Sequence, residues 1–505
     1  MTALDFATIE TIETAVTATR RMYLSGQTRS LEFRKNVLRG MLRFLDEEKE
    51  AICEASFKDI HRPTFETLIS DISIIKKDIK GFLKNLHRLA SPSYPEAGWF
   101  FKGNAVIRKE PKGVVLVIGA WNYAVQTSIA PVVAALAAGN TVILKPSELA
   151  PHVAQLFADR LKHYVDPSVV AVINGGADET TRLLEYPLNH VFYTGNGTVG
   201  RIIMTAAAKQ LASVTLELGG KSPTLVLPDA NLDVAAQRIV WGKFFNAGQT
   251  CIAPDFVVVT QANADALIEK MKSTIVARFG TNPQKSDSLA RIIHPRHFDR
   301  LTQVLQSVSE KWIVHGGDTD REDLYIAPTL VKVPGDIEGF KLMDEEIFGP
   351  ILPIIVVPTI DSIVSSLVNR DTPLALYIFG ENKHTINKLL DQLPSGGACV
   401  NNVMMHASRA SLPFGGQGAS GIGSYHGEHG FHELTHKRSV LITSSGGEAA
   451  LQAVYPPYTQ AKTTLAEIDT TGSTGGGMLK TVVDAIAALW RIYVSPLPVE
   501  HAKSD

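Results

Sequence analysis

The chain has 505 residues, 45% of them hydrophobic and 20% charged, which is enough apolar material for a large buried core and for two or more domains. A formal charge of −2 with both signs interspersed leaves no electrostatic footprint for nucleic acid, and no basic run carries interleaved aromatics. Three cysteines, Cys53, Cys251 and Cys399, cannot build a disulfide framework and lack CxxC spacing for zinc, so no metal site and a reducing compartment are expected.

The N-terminal residues Met1-Thr2-Ala3-Leu4-Asp5-Phe6 hold an early acidic residue and no apolar run, which predicts neither a secretory nor a transit segment. From Phe6 to about Leu89 apolar residues recur at helical spacing between charges, and Pro92 and Pro95 close this helical lead-in. Apolar runs at 113–119, 141–144, 168–173 and 190–193 then read as short buried strands separated by helix-length segments. That rhythm predicts an α/β fold with a doubly wound parallel sheet. No tandem repeat interrupts it.

Polar residues stand where these strands end. Asn122, in Ala120-Trp121-Asn122-Tyr123, is either a turn residue satisfying its own backbone or an amide placed to hold an oxyanion. Lys145-Pro146-Ser147-Glu148 follows the second strand, and by itself Glu148 reads as a carboxylate at a helix start. A literal G-x-G-x-x-G, Gly195-Asn196-Gly197-Thr198-Val199-Gly200, lies between a strand and a helical stretch. This is the position of a dinucleotide turn, although a strand-to-helix corner also uses glycine for backbone freedom alone.

Glu217 sits between Val214-Thr215-Leu216 and Leu218-Gly219-Gly220, a poor solvated face. A carboxylate in such surroundings has its pKa raised and works as a base near neutral pH. Cys251, in Phe244-Phe245-Asn246-Ala247-Gly248-Gln249-Thr250-Cys251, follows a turn-prone segment, whereas Cys399 in an apolar run and Cys53 in the helical lead-in read as structural. A thiol nucleophile, a base and an oxyanion amide form the parts of thioester chemistry at a carbonyl.

The stretch 444–477 is rich in Gly, Ser and Thr and is expected to be a flexible tether. After it, 478–494 has apolar residues at helical spacing, with Lys480, Asp484 and Arg491 among them. It is too short and too charged to span a bilayer, which takes roughly 20 apolar residues. An amphipathic helix lying on a membrane surface, or one packed against protein, satisfies the pattern.

The motifs resemble the aldehyde dehydrogenase superfamily, and within it the class 3, fatty-aldehyde branch. The resemblance runs from Phe57-Lys58-Asp59-Ile60-His61-Arg62-Pro63 through the Asn122, Glu217 and Cys251 segments to Glu345-Glu346-Ile347-Phe348-Gly349-Pro350, Leu412-Pro413-Phe414-Gly415-Gly416 and Tyr455-Pro456-Pro457-Tyr458. It implies Cys251 as nucleophile, Glu217 as base and Asn122 in the oxyanion hole. It also implies Lys145 and Glu148 at the adenosine ribose, Gly195 to Gly200 (Gly195, Asn196, Gly197, Thr198, Val199, Gly200) as the cofactor turn, and Glu346 and Phe348 at the nicotinamide end. Ala124 stands where the family pattern has proline. NAD is expected, because a carboxylate at Glu148 accepts from ribose hydroxyls and repels a 2′-phosphate, with NADP as the second dinucleotide the branch uses.

The function expected is NAD(P)-dependent oxidation of an apolar, medium- to long-chain aldehyde to its acid, with Tyr123, Met404 and Met405 in the pocket. Polyene, apocarotenoid or aromatic aldehydes fit the same arguments. Two rival classes are a cysteine hydrolase, which has no need of the Lys145–Glu148 and Glu346–Phe348 motifs, and a non-catalytic membrane-bound binding protein, which has little reason to keep Cys251, Glu217 and Asn122 together. The expected domains are 1–216 for dinucleotide binding, with an oligomerisation segment near 95–110, 217–424 for catalysis, an arm at 425–443, the linker at 444–477 and the helix at 478–494. A cytoplasmic homodimer resting peripherally on a membrane face completes the expectation.

Overall fold

A computed structural model describes residues 4–95, 104–334, 340–443, 445–446, 448–471 and 477–494. The chain up to Ser91 together with Lys109–Lys437 forms one compact unit, and Pro92–Arg108 with the chain from Arg438 onward forms a second.

The larger unit opens with the expected helical lead-in: Ile9–Leu24, Leu31–Glu47, Lys49–Ile60 and Ser73–Ala90 are helices. Thr8 and Ser30 cap the first two, each hydroxyl accepting from a backbone N–H three residues on. Before the last of them, Leu68–Ile72 winds as a π-helical turn, and Asp71 within it is completely buried.

Two sheets follow. The first has six strands in the order Gly421–Ile422, Ser213–Glu217, His190–Thr194, Val114–Ile118, Thr141–Lys145 and Val170–Val172, all parallel except the first. Their near-continuous Val, Ile and Leu content reflects burial on both faces, and crossover helices such as Ala124–Ala138 cover them. The second sheet has seven strands, ordered Gly397–Val400, Ala375–Phe379, Pro223–Val226, Phe256–Thr260, Ile351–Val357, Thr329–Pro334 and Ile313–His315. Only the last strand runs antiparallel to its neighbour. The α/β, doubly wound architecture is therefore the one expected. The chain between 217 and 424 is not confined to the second sheet, because Gly421–Ile422 returns to pair with Leu216 and Glu217 of the first.

Asn104–Pro111 and Thr435–Ile442 pair as a two-stranded sheet. The remainder of the expected 95–110 segment, 96–103, lies outside the described residues. The linker expectation requires correction. Glu448–Leu451 and Gln460–Thr471 are helices, the second built from good helix formers such as Ala461, Lys462, Leu465 and Glu467. Leu465 packs with Ala453 and Ala488, so a small apolar cluster gives these helices a partner. The Gly-rich residues 472–476 lie outside the described residues. Met478–Tyr493 is a single helix with an open apolar face: Leu479, Ile486 and Trp490 are 81%, 62% and 55% exposed. No helix among the described residues is long and apolar enough to cross a membrane.

One backbone constraint shapes the approach to Cys251. The helix Leu232–Phe244 ends, and Asn246, Ala247 and Gly248 follow with φ of 52°, 51° and 74°. A Cβ on Gly248 would lie 2.3 Å from the Gly349 carbonyl oxygen. Gly248→Ala is expected to lower the thermal midpoint, since left-handed backbone alone costs a side-chain-bearing residue about 1–2 kcal/mol. A thermal scan giving the wild-type midpoint would contradict this.

Candidate active site

The polar residues singled out in the sequence converge because parallel strands end together. Ile118 is in register with Lys145 on one side and Tyr193 on the other, and Thr194 with Glu217. Asn122, Lys145, Gly195 and Glu217 thus emerge at one edge of the first sheet, the crevice beyond the carboxyl ends where open α/β sheets bind ligands. A cavity of about 1250 Å³ occupies that edge and is lined by all four, together with Glu148, Cys251, Glu346 and Phe348.

One end of the cavity suits a dinucleotide. Lys145 is almost fully buried, and its ammonium donates to Glu148 Oε2 at 2.8 Å and to the Gly175 carbonyl at 2.9 Å. The helix Gly197–Ala208 starts here, capped by Asn196, whose side-chain oxygen accepts from the Val199 N–H at 3.0 Å. A buried cation, a carboxylate acceptor and a helix start match phosphate and ribose chemistry. Gly195 can carry no side chain, since its Cβ would sit 2.2 Å from the Tyr193 hydroxyl. Among the described residues, Gly195, Asn196 and Val199 line the cavity, while Gly197, Thr198 and Gly200 do not. Gly200 instead packs against Leu218, with its hypothetical Cβ 2.9 Å from Leu218 Cδ2. Its glycine serves close helix–strand packing.

The other end holds the reactive groups. Glu217 is 2% exposed, and neither of its carboxylate oxygens has a hydrogen-bond partner. Burial, followed by the charge of Glu433, pushes its pKa well above the usual carboxylate range. Burial and the Glu346 and Glu217 carboxylates likewise push the Cys251 thiol up, so its resting form is the thiol and attack requires a base to take the proton. Glu346 packs on the backbone at Gly219, where a Cβ would lie 2.2 Å from Oε2, and burial beside Asp255 raises it to about 8. Phe348 adopts φ 53° and meets Trp121 edge-on at 5.4 Å.

Asn122 is 5% exposed, and its amide donates to the Gln249 carbonyl at 3.1 Å, which leaves its second N–H uncommitted. A buried guanidinium outside the expected set holds this geometry. Arg62 donates to Asp71 Oδ2 at 3.0 Å, to Asn246 Oδ1 at 3.1 Å and to the Asn122 carbonyl, and lies 4.3 Å over the Tyr123 ring. Asn246 in turn donates to the Asn122 and Gln249 carbonyls at 2.9 and 3.1 Å. Arg62 stands within the quoted Phe57–Pro63 motif, but nothing in the local sequence shows that it will meet residues sixty and more positions away. Lys243 was equally illegible: its ammonium is fully buried without a hydrogen-bond partner and is lowered to about 8 by that burial.

Tyr123 and Met404 line the cavity as expected, whereas Met405 does not and is 38% exposed. Ile69, Ile74, Trp241 and Phe245 add to its apolar wall. Cys53 is buried, and Cys399 lies 3.2 Å from His406 Nδ1, away from the cavity lining.

Asn122→Ala is expected to reduce turnover by about 10²–10³ if its free N–H meets the developing oxyanion. Unchanged turnover in that variant would place the amide in a structural role only.

The aldehyde dehydrogenase family profile matches residues 2–440. Rat aldehyde dehydrogenase family 3 member A2 is 41% identical over 453 residues, covering 89% of this chain and 92% of the relative. Human family 3 member B1 is 42% identical over 439 residues, 87% and 93% of the two chains. A mouse relative described as the dimeric NADP-preferring aldehyde dehydrogenase is 40% identical, covering 88% of this chain and 98% of its own. Among solved structures, the substrate-bound state of Staphylococcus aureus AldH is 37% identical, with a TM-score of 0.88 over 91% of this chain and 99% of that one. A Mycobacterium tuberculosis aldehyde dehydrogenase complexed with NAD+ shares the fold, with a TM-score of 0.79 at 24% identity over 88% and 92% of the chains.

Proposed function

The chain belongs to the aldehyde dehydrogenase family and is an NAD(P)-dependent enzyme acting on aldehydes, and we propose that its substrates are medium- to long-chain apolar aldehydes oxidised to carboxylic acids at Cys251. The observation that carries this reading is the cavity wall. Ile69, Ile74, Trp241, Phe245 and Met404 share one cavity with Cys251, so an alkyl chain is desolvated there while its carbonyl meets the thiol. The relatives named family 3 members A2 and B1 support the assignment.

In the proposed mechanism, Lys145 and Glu148 hold the adenosine ribose, and Glu346 and Phe348 position the nicotinamide end. NAD(P), when bound, would supply the two-electron oxidising capacity, as a hydride acceptor, that thioester formation at Cys251 requires. The protein does the rest. Cys251 gives up its proton to water in the cavity as sulfur attacks the carbonyl carbon. Asn122 and the Cys251 backbone N–H stabilise the oxyanion. Glu217 then deprotonates the water that hydrolyses the thioester and releases the acid. NAD is the preferred cofactor in this reading because the Glu148 carboxylate faces the ribose end, and Lys145 gives a 2′-phosphate one compensating cation. A homodimer, and contact of the open apolar face of Met478–Tyr493 with a cytosolic membrane face, extend the proposal to how lipid-derived aldehydes reach the site.

The deciding experiment follows NADH absorbance with aldehydes of increasing chain length. Turnover efficiency should rise with chain length and vanish in Cys251→Ala; a preference for short or charged aldehydes would overturn the substrate assignment. Glu217→Gln should form the thioester but release it slowly. In the wild type, hydrolysis should rise as pH climbs through the elevated Glu217 pKa, since only the ionised carboxylate is a base. An acid limb at the ordinary value near about 4.3 would argue against Glu217 in that role.

A further inference from the structure

A base as deeply buried as Glu217 has to lose its proton after each turnover, and the surrounding sheet face offers a route. This inference rests on Glu217 acting as the base. Alternation along Ser213–Glu217 places Ser213, Thr215 and Glu217 on one face. Glu433, at the end of the helix Gly427–Glu433, reaches this face and is partly exposed. The Thr215 hydroxyl donates to Glu433 Oε1 at 2.8 Å and lies 3.0 Å from His190 Nε2. His190 Nδ1 is 2.8 Å from the Ser213 hydroxyl and 3.2 Å from the Lys112 ammonium.

These contacts dictate a single proton arrangement. Threonine has one hydroxyl proton, and it goes to the carboxylate, so Nε2 of His190 donates to Thr215 while Nδ1 accepts from the Lys112 ammonium. The ring is neutral, because burial and Lys112 push its pKa well down. Gly423 completes the seat: a Cβ there would stand 3.0 Å from Glu433 Oε1 and 3.1 Å from Thr215 Cγ2. The Glu433 carboxylate is thus held against Thr215, two residues along the strand from the base. The Cys251 thiol and the Tyr425 phenol also feel the Glu217 charge, and burial keeps both protonated, so neither accepts its proton.

We propose that Glu433, seated by Thr215 and His190, takes the proton from Glu217 and passes it to solvent. The O–H bond on Glu217 breaks and one forms on Glu433. Thr215, which holds Glu433, stands about 6.5 Å along the strand from Glu217, so the proton crosses to Glu433 through water in this proposal. Glu433 then gives the proton to bulk water. Each thioester hydrolysed exports one proton this way. Glu433 is the acceptor, and Thr215 and His190 are positioning residues.

The test uses the full chain with NAD and a saturating aldehyde. Glu433→Gln should leave the first-turnover rate of NADH formation at the wild-type value and slow steady turnover by about tenfold to a hundredfold. Added imidazole buffer should restore that turnover while leaving the wild-type rate flat. Thr215→Val should give a smaller loss with the same buffer dependence, and thermal midpoints near wild type show that both variants fold. Wild-type turnover in Glu433→Gln, or a loss that buffer does not repair, overturns the proposal. Undiminished turnover in Glu217→Gln would instead remove Glu217 as the base, a failure read independently of Glu433.

Discussion

The buried guanidinium of Arg62 is the interaction on which the catalytic geometry depends. It joins three segments that are distant in sequence: the π-helical turn carrying Asp71, the Asn122 loop after the strand Val114–Ile118, and the left-handed turn at Asn246 that leads to Cys251. A guanidinium suits this task because its planar fork offers donors in several directions at once and keeps its charge when buried. Asp71 supplies the counter-charge and Glu66 accepts from the Asn246 N–H, so the strained φ values of Asn246 and Ala247 are held by partners on every side. Loss of the guanidinium would remove a donor from Asp71, from the Asn246 side-chain oxygen and from the Asn122 carbonyl, and loosen the oxyanion amide relative to the thiol.

Around this anchor the site is a set of acidic groups in a poorly solvated place. Glu217 and Glu346 both stand above the ordinary carboxylate range, and the Cys251 thiol is raised in part by them. The consequence is a resting site in which protons are retained and then moved in sequence as substrate arrives. A thiol that ionises freely would be exposed to oxidation and to indiscriminate electrophiles. One kept protonated reacts only when a carbonyl and a base are both in place. The same burial makes proton removal a structural problem, which the seat of Glu433 on the sheet face answers.

Much of the first sheet was legible in the chain. Runs such as Val114–Ile118 and Thr141–Lys145 are apolar on both faces, a pattern that only a parallel, doubly covered sheet tolerates. The nucleophile, the base and the amide were legible as residue types in unusual settings. Other parts were not. The helix Gln460–Thr471 was hidden in a Gly-, Ser- and Thr-rich stretch because the packing partner of its Leu465, Ala488, lies beyond it. Gly200 looked like a phosphate-binding glycine, yet its absent side chain makes room for Leu218.

The sequence by itself determined the periodicities, and hence the fold class, together with the identities of the reactive groups, since local spacing and side-chain chemistry are intrinsic to the chain. Tertiary structure alone decided which polar groups meet: Arg62 with Asn122 and Asn246, Glu433 with Thr215, and Glu346 with the backbone at Gly219. The physical reason is that protonation and hydrogen bonding depend on burial and on neighbours in space. Parallel strands gather those neighbours from residues far apart along the chain, and no local pattern carries a record of that proximity.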